Sequence, residues 1–270
     1  MYLGDYSSPD GHAAIADLMA FVTARDGVIA IFQGPAETGP RALGHRSIVA
    51  NPCNPRTREM LNHRVKYREA IRPLAPMLTL EAAKHWFHLS DGASDDNYNA
   101  YNYMVLTARA RPGARERIPA VIHADGTGRL QIVRQHSDPS SMLISRRSGA
   151  GSASRSQSTP PFNVGGPIAQ TASQAVETLR RSKGMDAVLM FAEEGPVFVA
   201  SHGVARDAGH FGKWLSEWRA ESALAFPHLN RELSQHLTWT APVDRMAFLA
   251  CPHSSRAATD TYARLEGSAS

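Results

Sequence analysis

Apolar residues recur at helical spacing over residues 11–26, where Ala14, Ile15, Leu18, Met19, Phe21 and Val22 share one face and Arg25-Asp26-Gly27 closes the run. The β-branched run Val28-Ile29-Ala30-Ile31-Phe32 then predicts a short strand. It breaks into Gln33-Gly34-Pro35-Ala36-Glu37-Thr38-Gly39-Pro40, a loop dense in turn formers. A further element runs from Arg41 to Val49 and stops at Asn51-Pro52-Cys53-Asn54-Pro55. A polar, basic helix is expected over 56–67. Pro73 and Pro76 then force extended chain into Met77-Leu78-Thr79-Leu80. A short helix at 81–89 and a polar loop at 91–99 come next. Strands are expected at 103–107, 120–122 and 129–133. Farther on, helical patterning returns at 170–182 and 211–224, separated by strands at 186–191 and 197–199. Strands alternating with helices predict an α/β or α+β domain.

Residues 140–159 break the pattern. They are rich in serine and arginine and carry almost no apolar periodicity, the composition of a flexible linker. Residues 226–270 form a poorly patterned tail. No internal repeat is present.

Lysine plus arginine exceed aspartate plus glutamate by 29 to 25, and the pI is near 9.3. So slight an excess does not by itself argue for nucleic acid, and it suits phosphate-bearing small molecules equally well. The two cysteines, Cys53 and Cys251, form no CxxC pair, which disfavours a zinc ribbon or a disulfide framework. The N-terminus lacks a basic flank followed by an apolar run, and no stretch reaches the length of a spanning helix. The expected compartment is the cytoplasm, without membrane contact.

The chemistry is concentrated in residues 33–76. A strand delivers the chain into a Gly/Pro-rich loop followed by Arg41, Arg46, Lys66, Arg68 and Arg72. Glycines let backbone N–H groups approach an anion, and guanidinium groups grip phosphate oxygens in pairs. The five cations suit a polyphosphate cradle, and a solvated basic face as well. No Gly-Lys-Ser/Thr follows the glycines, so an ordinary P-loop is disfavoured.

Five segments carry a resemblance. They are Gly39-Pro40-Arg41-Ala42-Leu43-Gly44-His45-Arg46-Ser47-Ile48, Lys66-Tyr67-Arg68-Glu69, Arg72-Pro73-Leu74-Ala75-Pro76, His123-Ala124-Asp125-Gly126-Thr127-Gly128-Arg129-Leu130-Gln131 and Phe162-Asn163-Val164-Gly165-Gly166-Pro167-Ile168. In order and spacing, over roughly residues 2–200, they resemble the C-terminal domain of the O-carbamoyltransferases of nodulation and antibiotic tailoring. The resemblance implies an α/β fold with a YrdC/Sua5-like twisted open sheet and flanking helices. It further implies that ATP, with magnesium, and carbamoyl phosphate are bound there to form carbamoyl-adenylate.

By the same resemblance Arg41, Lys66 and Arg72 are the catalytic candidates. Arg46, Arg68, His123, Asp125, Arg129 and Asn163 are the nucleotide- or substrate-binding candidates. A metal belongs to a separate Kae1-like domain or chain that passes the carbamoyl group to a hydroxyl of a sugar-containing acceptor. That domain is expected to be missing here. No metal site is expected within this chain.

The resemblance implies one domain in two parts, 1–139 and 161–225, separated by a Ser/Arg-rich stretch at 140–160. That stretch has the family's length without its composition, as compensating frame shifts in the gene would leave it. Pro161 stands where the family has serine. Two alternatives stay open. One is an inactive remnant or a nucleotide-binding subunit dependent on a separate chain. The other is an RNA-binding relative, which the modest charge disfavours. Elsewhere, His85 and His88 read as structural rather than metal-binding, and Tyr98, Tyr101 and Tyr103 as sheet residues or as stacking partners for a base.

Overall fold

The computed structural model describes residues 2–5, 9–37, 39, 41–94, 98–134, 156–158, 160–192, 195–203 and 209–222. Of the expected linker and tail, residues 140–155 and 226–270 lie outside these.

The centre is a five-stranded mixed sheet built from β1 (Tyr2–Asp5), β2 (Ile29–Gln33), β3 (Arg46–Val49), β10 (Ala187–Phe191) and β11 (Pro196–Ser201), in the order β1-β11-β10-β2-β3. β2 and β10 run parallel in the middle, and the other pairings are antiparallel. Both central strands are buried throughout, as their unbroken apolar runs require. Strand alternation divides their side chains between two cores. Ile29, Ile31, Leu189 and Phe191 pack on one face against Leu18, Met19 and Val22 of α1 (Pro9–Ala24) and Phe211, Leu215 and Trp218 of α6 (Phe211–Ser222). Ala30, Phe32, Val188 and Met190 enter the larger core on the other face.

That second face is covered by α5 (Ala172–Arg181) and two small sheets. Thr171 caps α5 through a capping box with Gln174, and Ala175, Val176 and Leu179 form its buried stripe. One small sheet has the order β8-β4-β9, from Gln131–Ile132, Pro76–Leu78 and Ser156–Ser158. The other has the order β5-β6-β7, from Phe87–His88, Thr107–Ala110 and Thr127–Arg129. Three short helices complete the described elements: α2 (Thr57–Met60), which runs on into a wide π turn at Leu61–Lys66, α3 (Leu80–Trp86) and α4 (Ala114–Arg117). The class is α/β, with open sheets and flanking helices. Among the described residues no helix is long and apolar enough to cross a membrane.

Three local expectations differ. Of the segment 103–107, expected as a strand, Tyr103 ends a 3-10 turn at Ala100–Tyr103 that is capped by Asn99 and closed by Met104 in the left-handed region (φ 53°), and the strand β6 begins only at Thr107. Residues 120–122 lie in and just after a second 3-10 turn, Pro119–Val121, because Pro119 brings a fixed φ and no N–H for a ladder. Conversely, Ser156–Ser158, inside the stretch expected as a linker, pairs antiparallel with β4.

Candidate functional site

The loop between β2 and β3 is held from within. One oxygen of Glu37 accepts from the backbone N–H groups of Leu43 (2.6 Å), His45 (2.9 Å) and Arg46 (3.4 Å). Arg46 fastens the same loop from below. It is 1% exposed, and its guanidinium donates to the carbonyls of Gln33, Gly34, His45 and Ala169 while lying 3.6 Å over the Phe32 ring. Burial draws its pKa down to about 10, opposed by Glu37. Arg46, expected to grip phosphate, is thus placed as a scaffold for the loop that carries Arg41.

Lys66 sits at the end of the wide turn, 7% exposed. Its ammonium donates to the carbonyls of Pro161 (2.7 Å) and Asn163 (2.6 Å) and to Oδ1 of Asn163. Three donors therefore meet three oxygens, and Asn163 spends its Nδ2 on the Gly166 carbonyl. Burial, then the charge of Arg68, pulls the Lys66 pKa down to about 7, while the surrounding acceptors favour the charged form. Lys66 and Asn163 meet, as a clamp on the segment 161–163.

That segment walls a cleft lined by Arg41, Arg68, Arg129, Leu74, Met104 and Pro161, among others, and by no carboxylate. The three arginines come from the loop after β2, the chain after the wide turn, and the end of β7. Arg68 is anchored through Nε to Oδ1 of Asn62 at 2.7 Å, and Asn62 in turn donates to the carbonyls of Ala70 and Arg72. Burial lowers the pKa of Arg68, and Arg72 and Arg129 lower it further against Glu69. Arg129 is lowered by burial and then by Arg41 and Arg72. Arg72, though exposed, therefore belongs to the same field. Four guanidinium groups held within mutual repulsion cost stability unless an anion joins them.

His123 and Asp125 serve the turn that delivers Arg129. Asp125 accepts from the backbone N–H (2.9 Å) and hydroxyl (2.8 Å) of Thr127, which hold its pKa below the usual range. His123 pairs with the Thr127 hydroxyl at 3.1 Å, and its pKa is lowered, by burial first. His85 stacks edge-on against Trp86, a structural contact.

Sequence reasoning assigned no role to Glu37, Gln131 or Arg134. Glu37 was legible as the one carboxylate in a glycine-rich loop. The other two show only in three dimensions. Magnesium does not fit as a protein-held ion: the cleft offers no carboxylate, and among the described residues no group of three or more His, Cys, Asp or Glu could hold a metal.

A model of the carbamoyltransferase C-terminus matches residues 20–193. The chain belongs to that family. This carbamoyltransferase C-terminal domain is 38% identical to Nodulation protein NolO of Bradyrhizobium diazoefficiens over 132 residues, 49% of this chain and 22% of the relative. It is likewise 38% identical to Nodulation protein U of Rhizobium tropici over 120 residues, 44% of this chain and 19% of that protein. The chain thus spans about a fifth of the length of these curated relatives. Among solved structures, HypF in a phosphate- and nucleotide-bound form overlaps 82% of this chain and 34% of its own, at a TM-score of 0.44 and 12% identity, a likeness too slight to support an argument.

Proposed function

We propose that this domain is the activating part of an O-carbamoyltransferase. It binds ATP and carbamoyl phosphate and forms carbamoyl-adenylate for transfer to a hydroxyl of a sugar-containing acceptor, such as a nodulation factor. The transfer itself rests with a separate Kae1-like domain or chain, which holds the family's metal. The observation that carries this reading is the carboxylate-free cleft surrounded by Arg41, Arg68, Arg72 and Arg129.

Its chemistry follows from charge. Water first cleaves the mixed anhydride of carbamoyl phosphate, releasing inorganic phosphate and carbamate; an oxygen of carbamate then forms a bond to the α-phosphorus of ATP while the bond from that phosphorus to pyrophosphate breaks. Charge grows on the transferred group and on the leaving group. Fixed guanidinium groups stabilise both without reorganising. Arg41 and Arg129, which both line the cleft, are assigned to the phosphates. Lys66 and Asn163 shape the wall between them. Magnesium arrives with the triphosphate, coordinated by phosphate oxygens rather than by this chain.

Calorimetric titration with ATP and pyrophosphate tests the reading, paired with carbamoyl-phosphate-dependent exchange of labelled pyrophosphate into ATP. Binding and exchange that are both lost in Arg41→Ala and Arg129→Ala support it. Binding without exchange indicates a nucleotide-binding subunit that lacks activity alone. No binding by the folded chain indicates a remnant.

A further inference from the structure

We propose that Tyr67 is a positioning residue for the anion cleft: it holds the chain reversal that presents Arg68 to bound phosphate, and this rests on the reading that the cleft holds phosphate. Tyr67 stands between two residues with different tasks. Lys66, before it, is engaged by Pro161 and Asn163, whereas Arg68, after it, lines the cleft. The chain must therefore turn within a single residue.

It turns through a left-handed backbone. Tyr67 has φ 48° and ψ 52°, a region that crowds a residue with a Cβ and that glycine fills freely. The reversal closes the wide turn at Leu61–Lys66, and the Asn62 carbonyl accepts from the N–H of Tyr67 and from that of Arg68, the latter at 2.9 Å. Arg68 also gives its Nε to the Asn62 side chain. Main chain and guanidinium of Arg68 thus both depend on the reversal at Tyr67.

An aromatic side chain in that backbone region calls for a compensating contact, and the ring, 48% exposed, gains little from burial. The hydroxyl supplies the contact. It donates to the Arg181 carbonyl and accepts from the Lys183 N–H, each at 3.0 Å. Arg181 ends α5, so its carbonyl has no partner within the helix and the phenol takes that place. The two chains also meet directly. The Gly184 N–H donates to the Arg64 carbonyl at 3.0 Å, and a Cβ on Gly184 would meet Arg64 Cβ at 2.8 Å. Three residues on, at Ala187, the chain enters β10, so the phenol ties Arg68 to the central sheet. The tie matters because Arg72 and Arg129 repel Arg68. Without a fixed backbone that repulsion moves the guanidinium off the cleft, and an incoming anion must first order it again.

Calorimetry with inorganic pyrophosphate on the full chain tests the assignment, using wild type, Tyr67→Phe, Arg68→Ala and the double variant. Tyr67→Phe keeps the half-exposed ring and removes only the hydroxyl, so the fold is kept. Arg68→Ala retains three arginines, so its binding stays measurable. The expected result is pyrophosphate binding about three- to tenfold weaker in Tyr67→Phe, with the double variant binding as Arg68→Ala does. The double variant separates positioning from general loosening, because a looser fold weakens binding whether or not Arg68 is present. Unchanged affinity in Tyr67→Phe, or an equal further loss in the Arg68→Ala background, overturns the positioning role while leaving the phosphate cleft intact. Failure of the folded wild-type chain to bind pyrophosphate overturns the positioning role and the proposed function together.

Discussion

The Lys66 ammonium holds Asn163 twice, through its main-chain carbonyl and its side-chain oxygen, across 97 residues of sequence. The same nitrogen takes the Pro161 carbonyl. This one cation joins the wide turn that ends at Lys66 to the segment that walls the arginine cleft. Segment 161–163 is also tied to β3, since the Phe162 N–H donates to the Arg46 carbonyl at 2.8 Å. The position of the cleft wall is thus set by groups that are not themselves among the cleft lining.

Replacing Lys66 by methionine keeps the stem and removes the donors. The carbonyl and Oδ1 of Asn163 then lose this donor, while the Pro161 carbonyl keeps the Asn163 N–H at 3.1 Å; the cost is about 1–3 kcal/mol of folding stability. Thermal unfolding of Lys66→Met should show the loss, and pyrophosphate affinity should fall with it as the wall loosens. An unchanged melting temperature would contradict the clamp.

Arg46 makes a sharper case. Its guanidinium serves four backbone carbonyls from full burial, so Arg46→Ala leaves several polar groups unpaired at once. The expected destabilisation is about 3–5 kcal/mol. Arg46→Lys should not restore it, because a single ammonium cannot span the fork. Denaturant unfolding of both variants checks this. A near-native Arg46→Lys would show that charge alone suffices.

Much of this was legible in the chain. The apolar runs around Ile29–Gln33 and Ala187–Phe191 announced two strands, and the helical patterning over 170–182 announced α5. The cation series pointed to an anion site. Sequence gave no way to separate the arginines that face the cleft from the one that braces it. Arg41 and Arg46 lie close in sequence and share a chemistry, and only burial among carbonyls distinguishes them. Tyr98 and Tyr103 read as alternating sheet residues or as stacking partners for a base, whereas Asn99 and Asn102 cap each other and wind that segment into a 3-10 turn. The capping competes locally with strand formation, and propensity does not reveal which wins.

Gly128 illustrates how tightly Arg129 is placed. A Cβ there would meet Phe87 Cε1 at 2.7 Å, and that ring is fully buried. Gly128→Ala should cost about 1–3 kcal/mol through overpacking and push the neighbouring arginine out of register. Calorimetry would read this as weaker pyrophosphate binding beside a lowered melting temperature. Gly166→Ala, where a Cβ meets nothing within 4 Å, is the control and should leave both unchanged.

The last prediction concerns pH. Asp186 accepts from the Val28 N–H at 2.8 Å at the start of the central strand pair, and burial raises its pKa to about 6. The unfolded carboxyl titrates near its ordinary value of about 4. Between these values the folded state binds the extra proton, so stability falls as pH rises from about 4 through about 6. A shift of two units corresponds to about 3 kcal/mol at most, fully expressed above pH 6. Asp186→Asn retains an oxygen to accept from Val28 and carries no charge. Melting curves from pH 4 to pH 7 should show a decline in wild type that is reduced in Asp186→Asn, with the variant the more stable of the two at pH 7. Parallel curves would mean that the ionised carboxylate is tolerated at no cost, and that the Val28 N–H compensates its burial in full.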